Sequence, residues 1–379
     1  MGTDARGEGE GRPGPAGAAS AGRDLEGLRA AIDGIDGEIQ EAISRRARLA
    51  LEVARAKREQ GNEDDYYRPE REAEILRRVV ERNRGPLADE TVARLFREII
   101  SACLALQKPL SVAFLGPAGT FTQAAALKHF GESVETVPLD TIEAVFREVT
   151  SGGASYGVVP VENSTEGMVT HTLDMFIQSS LKICGEVGLL IHHCLLSREP
   201  DLRGITRVYS HSQSLAQCRR WLDAHLPQAE RIGVTSNAEA ARLAAGEAGA
   251  AAIAGEVAAR IYGLDVVSSN IEDQPENTTR FLVIGRRPVP PTGADKTSLL
   301  LAAHNQPGSL YHLLEPMARY GINMNRIESR PSRRGKWDYV FFVDVDGHAE
   351  EPGLAAALEE VSRRSSLFKV LGSYPRMVI

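Results

Sequence analysis

Between Asp24 and Gln60, apolar residues recur at alternating steps of three and four: Leu25, Leu28, Ile32, Ile35, Ile39, Ala42, Leu49, Val53 and Ala56. That spacing draws one narrow stripe along a single helix. At ~1.5 Å per residue the stretch makes a rod of about 55 Å, too long for a compact monomeric domain. The stripe is therefore expected to pair with a second chain. Its one break, between Ala42 and Leu49, is Arg46. A guanidinium in an apolar seam is costly unless an anion meets it there. Lys57 follows after close to three turns and projects from nearly the same face. Either both side chains bend out to water, or they hold an anion.

A second helix is predicted from Pro69, at a first-turn position, to Asn83, with Arg71 and Glu72 near its start and Gly85-Pro86 ending it. A third runs from Asp89 to Gln107 through Val92, Leu95, Phe96, Ile99, Ile100, Cys103 and Leu106, and Pro109 stops it. Residues 23–108 thus read as an all-helical module. The module resembles the all-helical chorismate mutase family, in which a long first helix is shared across an intertwined dimer. The matching positions are Arg29, Arg46, Lys57, Arg71, Glu72 and Gln107. The resemblance implies a pericyclic rearrangement with no nucleophile or general base, in which cations hold a dicarboxylate in a compact pose. It also implies that Arg29 reaches into the partner's site, while Arg46, Lys57 and Gln107 serve their own. Two positions depart from the family pattern: Cys103 stands where relatives carry serine, and Arg68 where they carry an acid. A module kept only for dimerisation is the alternative.

The bulk numbers narrow the partners. A net charge of -7 excludes a general polyanion-binding surface, so nucleic acid is not expected. No apolar run reaches the ~18–20 residues of a membrane span, and the N-terminus has no charged-then-apolar export pattern. The four cysteines, Cys103, Cys184, Cys194 and Cys218, form no CxxC pair and read as reduced thiols of a cytoplasmic protein. Residues 1–22, rich in Gly, Ala, Arg and Glu, read as a disordered tail.

Past Pro109, strands and helices alternate in an open α/β pattern. Leu110–Leu115 runs into Gly116-Pro-Ala-Gly-Thr-Phe-Thr122 and a helix, an anion-binding layout that fits neither a Walker A loop nor GxGxxG. Tyr156–Pro160 runs into Val161-Glu-Asn-Ser-Thr-Glu-Gly167, a polar cluster where open sheets place ligands. A second lobe is expected over about 184–265, with strands at Gly188–Leu196, Arg207–Ser210, Arg231–Val234 and Ala250–Ala254. It puts Ser210 at a strand end and Gln217 on the next helix. His192-His193-Cys194 alternates faces on a strand and cannot easily converge on one metal ion. The chain returns through the polar stretch from Ser269 into Phe281–Ile284, expected to complete the first lobe's sheet. Two lobes with two crossings resemble a periplasmic-binding-protein-like clamshell.

Together, Gly116–Thr122, Glu162–Gly167, Ser210–Gln217 and Asn277–Phe281 closely resemble the prephenate dehydratase family over about residues 109–286, with Thr279-Arg280-Phe281 as its signature. The resemblance implies loss of CO2 and water from prephenate to give phenylpyruvate, without metal or organic cofactor. Thr279 is expected to donate to the leaving oxygen, with Asn163, Ser210 and Gln217 positioning substrate and Thr120 and Glu162 among its contacts. Arg280 either binds a substrate carboxylate or forms a structural pair. A preference for the related substrate arogenate stays open.

Residues 287–295, with Pro288, Pro290 and Pro291, read as a stiff exposed linker. Beyond it, over 296–379, a βαββαβ order is predicted, ferredoxin-like. It resembles an ACT regulatory domain through Asn305-Gln-Pro-Gly308-Ser-Leu310 and Glu328-Ser329-Arg330-Pro331. The resemblance implies that these residues sense L-phenylalanine. The three resemblances imply one enzyme of phenylalanine biosynthesis, isomerase and lyase, feedback-inhibited by L-phenylalanine and built as a homodimer or larger homo-oligomer. A non-enzymatic amino-acid sensor is the rival.

Overall fold

The structure, a computed structural model, describes residues 24–61, 67–303, 306–331 and 339–378. The expected tail, residues 1–22, and Asn305 lie outside them. The chain divides into two bodies, Met1–Leu49 and Ala50–Ile379. Helix α1 (Leu25–Glu59) begins in the first and ends in the second, and its one buried residue is Ala54. Along α1, Leu25, Leu28, Ile32, Ile35, Ile39, Leu49 and Val53 are 43–64% exposed, so the apolar stripe lies bare.

Helices α2 (Pro69–Arg82) and α3 (Asp89–Ala105) follow as expected, α2 with proline in its first turn. The first α/β lobe contains β1 (Ser111–Leu115), α4 (Phe121–Phe130), β2 (Glu135–Leu139), α5 (Ile142–Ser151), β3 (Tyr156–Asn163), β4 (Gly167–Met168), α6 (Thr170–Gln178) and β5 (Lys182–Leu190). The second lobe contains β6 (Cys194–Ser197), β7 (Arg207–His211), α7 (Ser212–Gln217), α8 (Arg219–His225), β8 (Glu230–Val234), α9 (Asn237–Ala245), β9 (Ala250–Ala254), α10 (Glu256–Tyr262) and β10 (Asp265–Ser268). The chain then re-enters the first lobe as β11 (Thr278–Gly285), giving sheet orders β2-β1-β3-β11-β5 and β10-β6-β9-β7-β8.

One expected strand is divided. Residues 188–196 do not form a single second-lobe strand, because Lys182–Leu190 pairs with β11 in the first sheet and Cys194–Ser197 pairs with β9 in the second. The crossing falls between them, and the two crossing segments are tied together: Ile191 N donates to Asn277 O at 2.8 Å and Ile271 N to His193 O at 2.9 Å. β9 is alanine throughout except for Ile253 and fully buried, which lets helices approach closely on both sides.

The C-terminal domain has the expected βαββαβ order: β12 (Asp295–Ala302), α11 (Ser309–Arg319), β13 (Met324–Pro331), β14 (Tyr339–Asp346), α12 (Pro352–Arg364) and β15 (Leu367–Pro375), in sheet order β13-β14-β12-β15. Strand alternation sends β12 into two cores. Leu299 and Leu301 pack with Leu313, Leu354 and Leu358 of its own helices. Leu300 and Ala302 join Phe342, Leu371 and Tyr374 against Val159, Phe176 and Leu282 of the first lobe. Gly372 is required at this contact, since a Cβ there would overlap the backbone of Ile183. The 287–295 segment, expected to be stiff and exposed, is exposed in part and pinned to its neighbours. Val289 is buried, His348 Nε2 lies 2.9 Å from its carbonyl, and Arg77 of α2 donates to Thr292 Oγ1 at 2.7 Å. Among the described residues no helix is long and apolar enough to cross a membrane.

Candidate active site

β3 and β11 are antiparallel neighbours, and their register sets Thr279 opposite Asn163 and Arg280 opposite Glu162. Successive residues of a strand face opposite sides of the sheet, so the two pairs point in opposite directions.

The Thr279–Asn163 pair lies directly behind Asn277, which lines the cleft between the lobes and accepts from the Asn163 amide. Asn163 Oδ1 accepts from the backbone N–H groups of Thr165 and Glu166, both at 3.0 Å. That assigns the other end of the amide as NH2. Its two hydrogens go to Asn277 Oδ1 and Thr279 Oγ1, both at 2.8 Å. Both ends of the Asn163 amide are thus hydrogen-bonded within the protein. Since Thr279 accepts in this bond, its own proton is left for another acceptor. Asn277 Oδ1 also receives Thr165 Oγ1 at 3.2 Å, which closes the cluster.

The cleft itself measures about 520 Å³. Thr165, Glu166 and Asn277 form its first-lobe wall, and Gln213, Gln217 and Arg220 its second-lobe wall. Gln217 Oε1 lies 2.9 Å from His193 Nε2, while its amide nitrogen is buried with no partner. Burial lowers the His193 pKa against the opposing pull of Gln217 and Glu272, so the ring is neutral. Its Nε2–H then donates to Gln217, which leaves the Gln217 NH2 as the unpartnered end of the amide. Glu272 accepts from the His193 backbone N–H at 2.9 Å and lies 2.8 Å from His192 Nδ1. Burial alone would raise the Glu272 pKa, but these hydrogen bonds outweigh it and keep the group ionised. His192 and His193 are thus committed to the crossing segments. Arg220, in the first turn of α8, is the cation of this wall that the sequence reading missed.

Other expected residues sit elsewhere. Ser210 is fully buried beneath the end of β7, bonded to Asn237 Oδ1 at 3.0 Å and Ile253 O at 2.9 Å. Ser212 and Gln213 line the cleft in its place. Thr120 caps β1 by donating to Leu115 O at 3.1 Å, and its turn is held to the second lobe by Tyr262, which donates to Ala118 O at 2.9 Å. Glu162 faces away from the cleft and pairs with Arg326 at 3.0 Å. Arg280 also turns away. Its guanidinium meets Glu186 at 2.8 Å, Asp344 at 2.7 Å and the Tyr374 hydroxyl at 3.1 Å.

In the helical module, Arg29 is exposed and Arg46 half-buried on the first part of α1. Lys57 and Gln107 are half-buried. Arg71 is exposed and pairs with Glu74 at 2.9 Å, whereas Glu72 is buried beside Arg97 at 3.7 Å. Glu72 and Arg97 line a small cavity of about 60 Å³ with Tyr67 and His129. Burial pushes the Glu72 pKa up to about 7, although Arg97 and Tyr67 pull it down. Cys103 is buried, and Arg68 pairs with Glu70 at 2.6 Å.

On the C-terminal domain, Gly308 has φ 79°, a left-handed conformation that favours glycine, and caps α11, where Leu310 is half-buried. Glu328 and Arg330 share one face of edge strand β13, and Ser329 is exposed on the other. Arg330 reaches Asp174 of α6 at 3.3 Å.

Three family models match the chain in succession: chorismate mutase type II over residues 28–108, prephenate dehydratase over 112–289 and the ACT domain over 297–363. A bifunctional chorismate mutase/prephenate dehydratase of Pseudomonas aeruginosa is 55% identical over 359 residues, 94% of this chain and 98% of the relative. Among solved structures, a prephenate dehydratase of Arthrobacter aurescens in complex with L-Phe superposes with TM-score 0.65 at 37% identity, over 70% of this chain and 90% of that one. A protein described as a novel type of quorum-quenching acylase superposes with TM-score 0.66 at 32% identity, over 71% of this chain and 98% of that one. The same scaffold therefore carries more than one described chemistry, and it is the full-length identity, with all three family models in one order, that decides here. This chain belongs to the bifunctional chorismate mutase/prephenate dehydratase family.

Proposed function

We propose that Thr279 is the hydrogen-bond donor to the departing hydroxyl of prephenate, with Asn163 holding it in the donating orientation. The observation that carries this is the 2.8 Å bond in which the Asn163 amide donates to Thr279 Oγ1, leaving the threonine proton for substrate. In the reaction the C–O bond to the ring hydroxyl breaks with its electron pair on oxygen. The C–C bond to the ring carboxylate breaks with its pair entering the ring, and CO2 departs. One proton, drawn ultimately from solvent, completes the water. Thr279 supplies charge stabilisation at the leaving oxygen, because a hydroxyl is too weak an acid to protonate it outright. Gln217 supplies an amide donor from the opposite wall, and Arg220 the positive charge a dicarboxylate needs. Glu162 and Thr120 act as framework residues.

For chorismate, the cations Arg29, Arg46, Lys57 and Arg71, with Gln107, hold the substrate by electrostatic preorganisation and move no proton. The bare stripe on α1 supports a second copy of the chain as its cover, which gives a homodimer or larger homo-oligomer. L-Phenylalanine is the inhibitor that binds the C-terminal domain through Asn305, Gly308 and Leu310 with the strand Glu328–Arg330. The similarity to a dehydratase solved with L-Phe supports this. The four cysteines are free and buried, in keeping with a reducing, cytoplasmic location.

The test is a chorismate feed to the full chain, following chorismate, prephenate and phenylpyruvate separately, with and without L-phenylalanine. Phenylpyruvate should appear and its production should fall on adding phenylalanine. Persisting chorismate with consumption of added prephenate would reduce the helical module to a dimeriser.

A further inference from the structure

Arg280 follows Thr279 in the strand and faces the other side of the sheet. It is a half-buried cation held by groups from two domains: Glu186 of the dehydratase sheet at 2.8 Å, and Asp344 at 2.7 Å and Tyr374 at 3.1 Å of the C-terminal sheet. Lys296 completes the charge balance with a 2.6 Å contact to Glu186, and Ser298 ties Asp344 to Tyr374. Across the ladder, Glu162 opposes Arg280 just as Asn163 opposes Thr279, and it too reaches the C-terminal domain, through Arg326. The β11 register shifts between Arg280 and Phe281, directly after these pairs. One face of a two-residue segment therefore holds the catalytic hydroxyl and its positioning amide. The other face is clamped by ion pairs to the regulatory sheet.

We propose that Arg280 is a positioning residue for the dehydratase reaction, and that the Arg280–Asp344 pair is the strut through which the C-terminal domain sets the direction of the Thr279 hydroxyl. The proposal rests on the reading of Thr279 given above. Backbone φ and ψ couple successive residues, so a shift of the C-terminal sheet that moves Asp344 rotates residue 280 and with it Thr279. Hydrogen-bond strength falls steeply with angle. A small rotation thus weakens donation to the leaving oxygen without closing the cleft to substrate. The signature is a loss of kcat with KM nearly unchanged.

The experiment compares Asp344→Asn, Arg280→Met and Arg280→Lys with the unaltered full chain. Prephenate turnover is measured with and without L-phenylalanine, chorismate turnover in the same samples reports on the helical module, and denaturant unfolding reports on the folding of the two sheets. Asp344 lies on the C-terminal sheet and on the far side from the cleft. Asp344→Asn should nevertheless lower dehydratase kcat by about tenfold, leave KM within about twofold and blunt the phenylalanine response. Arg280→Met should do the same more strongly, and Arg280→Lys should recover part of the loss. Chorismate turnover should stay unchanged in all three. A rise in KM for the Arg280 variants with no effect of Asp344→Asn would overturn the strut and make Arg280 a substrate ligand. An Asp344→Asn chain with unaltered kcat and an unaltered phenylalanine response would overturn it as well. Thr279→Val, assayed alongside, separates the two proposals: full turnover there removes the Thr279 reading, whereas the phenylalanine response of Asp344→Asn still tests the coupling.

Discussion

Helix α1 and strand β12 are both rich in large apolar residues, yet they end in opposite states. The α1 stripe is bare along its length, whereas β12 is covered on both faces, by its own helices on one side and by the first dehydratase lobe on the other. The difference shows where each part of the enzyme finds its core. The regulatory and dehydratase sheets complete each other within one chain, whereas the apolar stripe of the mutase module has no cover within it. Buried polar groups divide in the same way. The Arg280 cluster lies where the two sheets meet, and the cations expected at the mutase site remain exposed or half-buried.

The hardest blow to the covered side is removal of Glu186, which is shared by Arg280 and Lys296. Glu186→Leu leaves two half-buried cations short of an anion and should cost about 3–5 kcal/mol of stability, read by denaturant unfolding. A loss below about 1 kcal/mol would show that the cluster is solvated.

Glu72 gives a pH-dependent test on the face of α2 that packs against the dehydratase. Its folded pKa of about 7 lies above the ordinary 4.5, so the folded chain holds a proton that the unfolded chain has released. Stability contributed by this group therefore falls as pH rises from about 4.5 through 7. Glu72→Gln should be more stable than the unaltered chain by up to about 3 kcal/mol at pH 8, with the difference vanishing near pH 4. Equal melting curves at pH 8 would mean that Glu72 is solvated. His129 beside it works in the opposite sense: burial, with the nearby Arg97 charge, lowers its pKa to about 3. Its contribution is lost as pH falls below about 6.5.

Gly372→Ala sharpens the comparison further. Its methyl would meet the Ile183 backbone and should cost about 1–3 kcal/mol while loosening the regulatory sheet. The readout is a weaker phenylalanine response at unchanged chorismate turnover.

The legibility of the sequence follows the same division. The α1 seam and the βαββαβ order are readable because local periodicity carries them, whereas only the family resemblance brings Thr279 and Asn163 to one site. Arg280 stayed ambiguous because its deciding partner, Asp344, arrives 64 residues later on another domain. Ser210 looked like a site residue because it ends a strand, but its hydroxyl turns inward to Asn237 and Ile253. Residues 188–196 read as one strand because apolar character runs on while the chain changes sheets at Ile191–His193. Arg220 went unseen because an arginine on a short helix has no pattern of its own until the cleft gives it one.

The most direct test of the division is a full chain carrying Ile35→Asp and Ile39→Asp on the bare stripe. Both positions are exposed in a single chain, so the stability of that chain should change by less than about 0.5 kcal/mol. Chorismate and prephenate turnover are measured on one sample, with its mass followed by sedimentation. Chorismate turnover should fall by about 100-fold or more as a geometry assembled by two chains is lost, while prephenate turnover should stay within about twofold. Chorismate turnover that survives in the double variant, or prephenate turnover that falls with it, would contradict a mutase built across two chains and a dehydratase built within one.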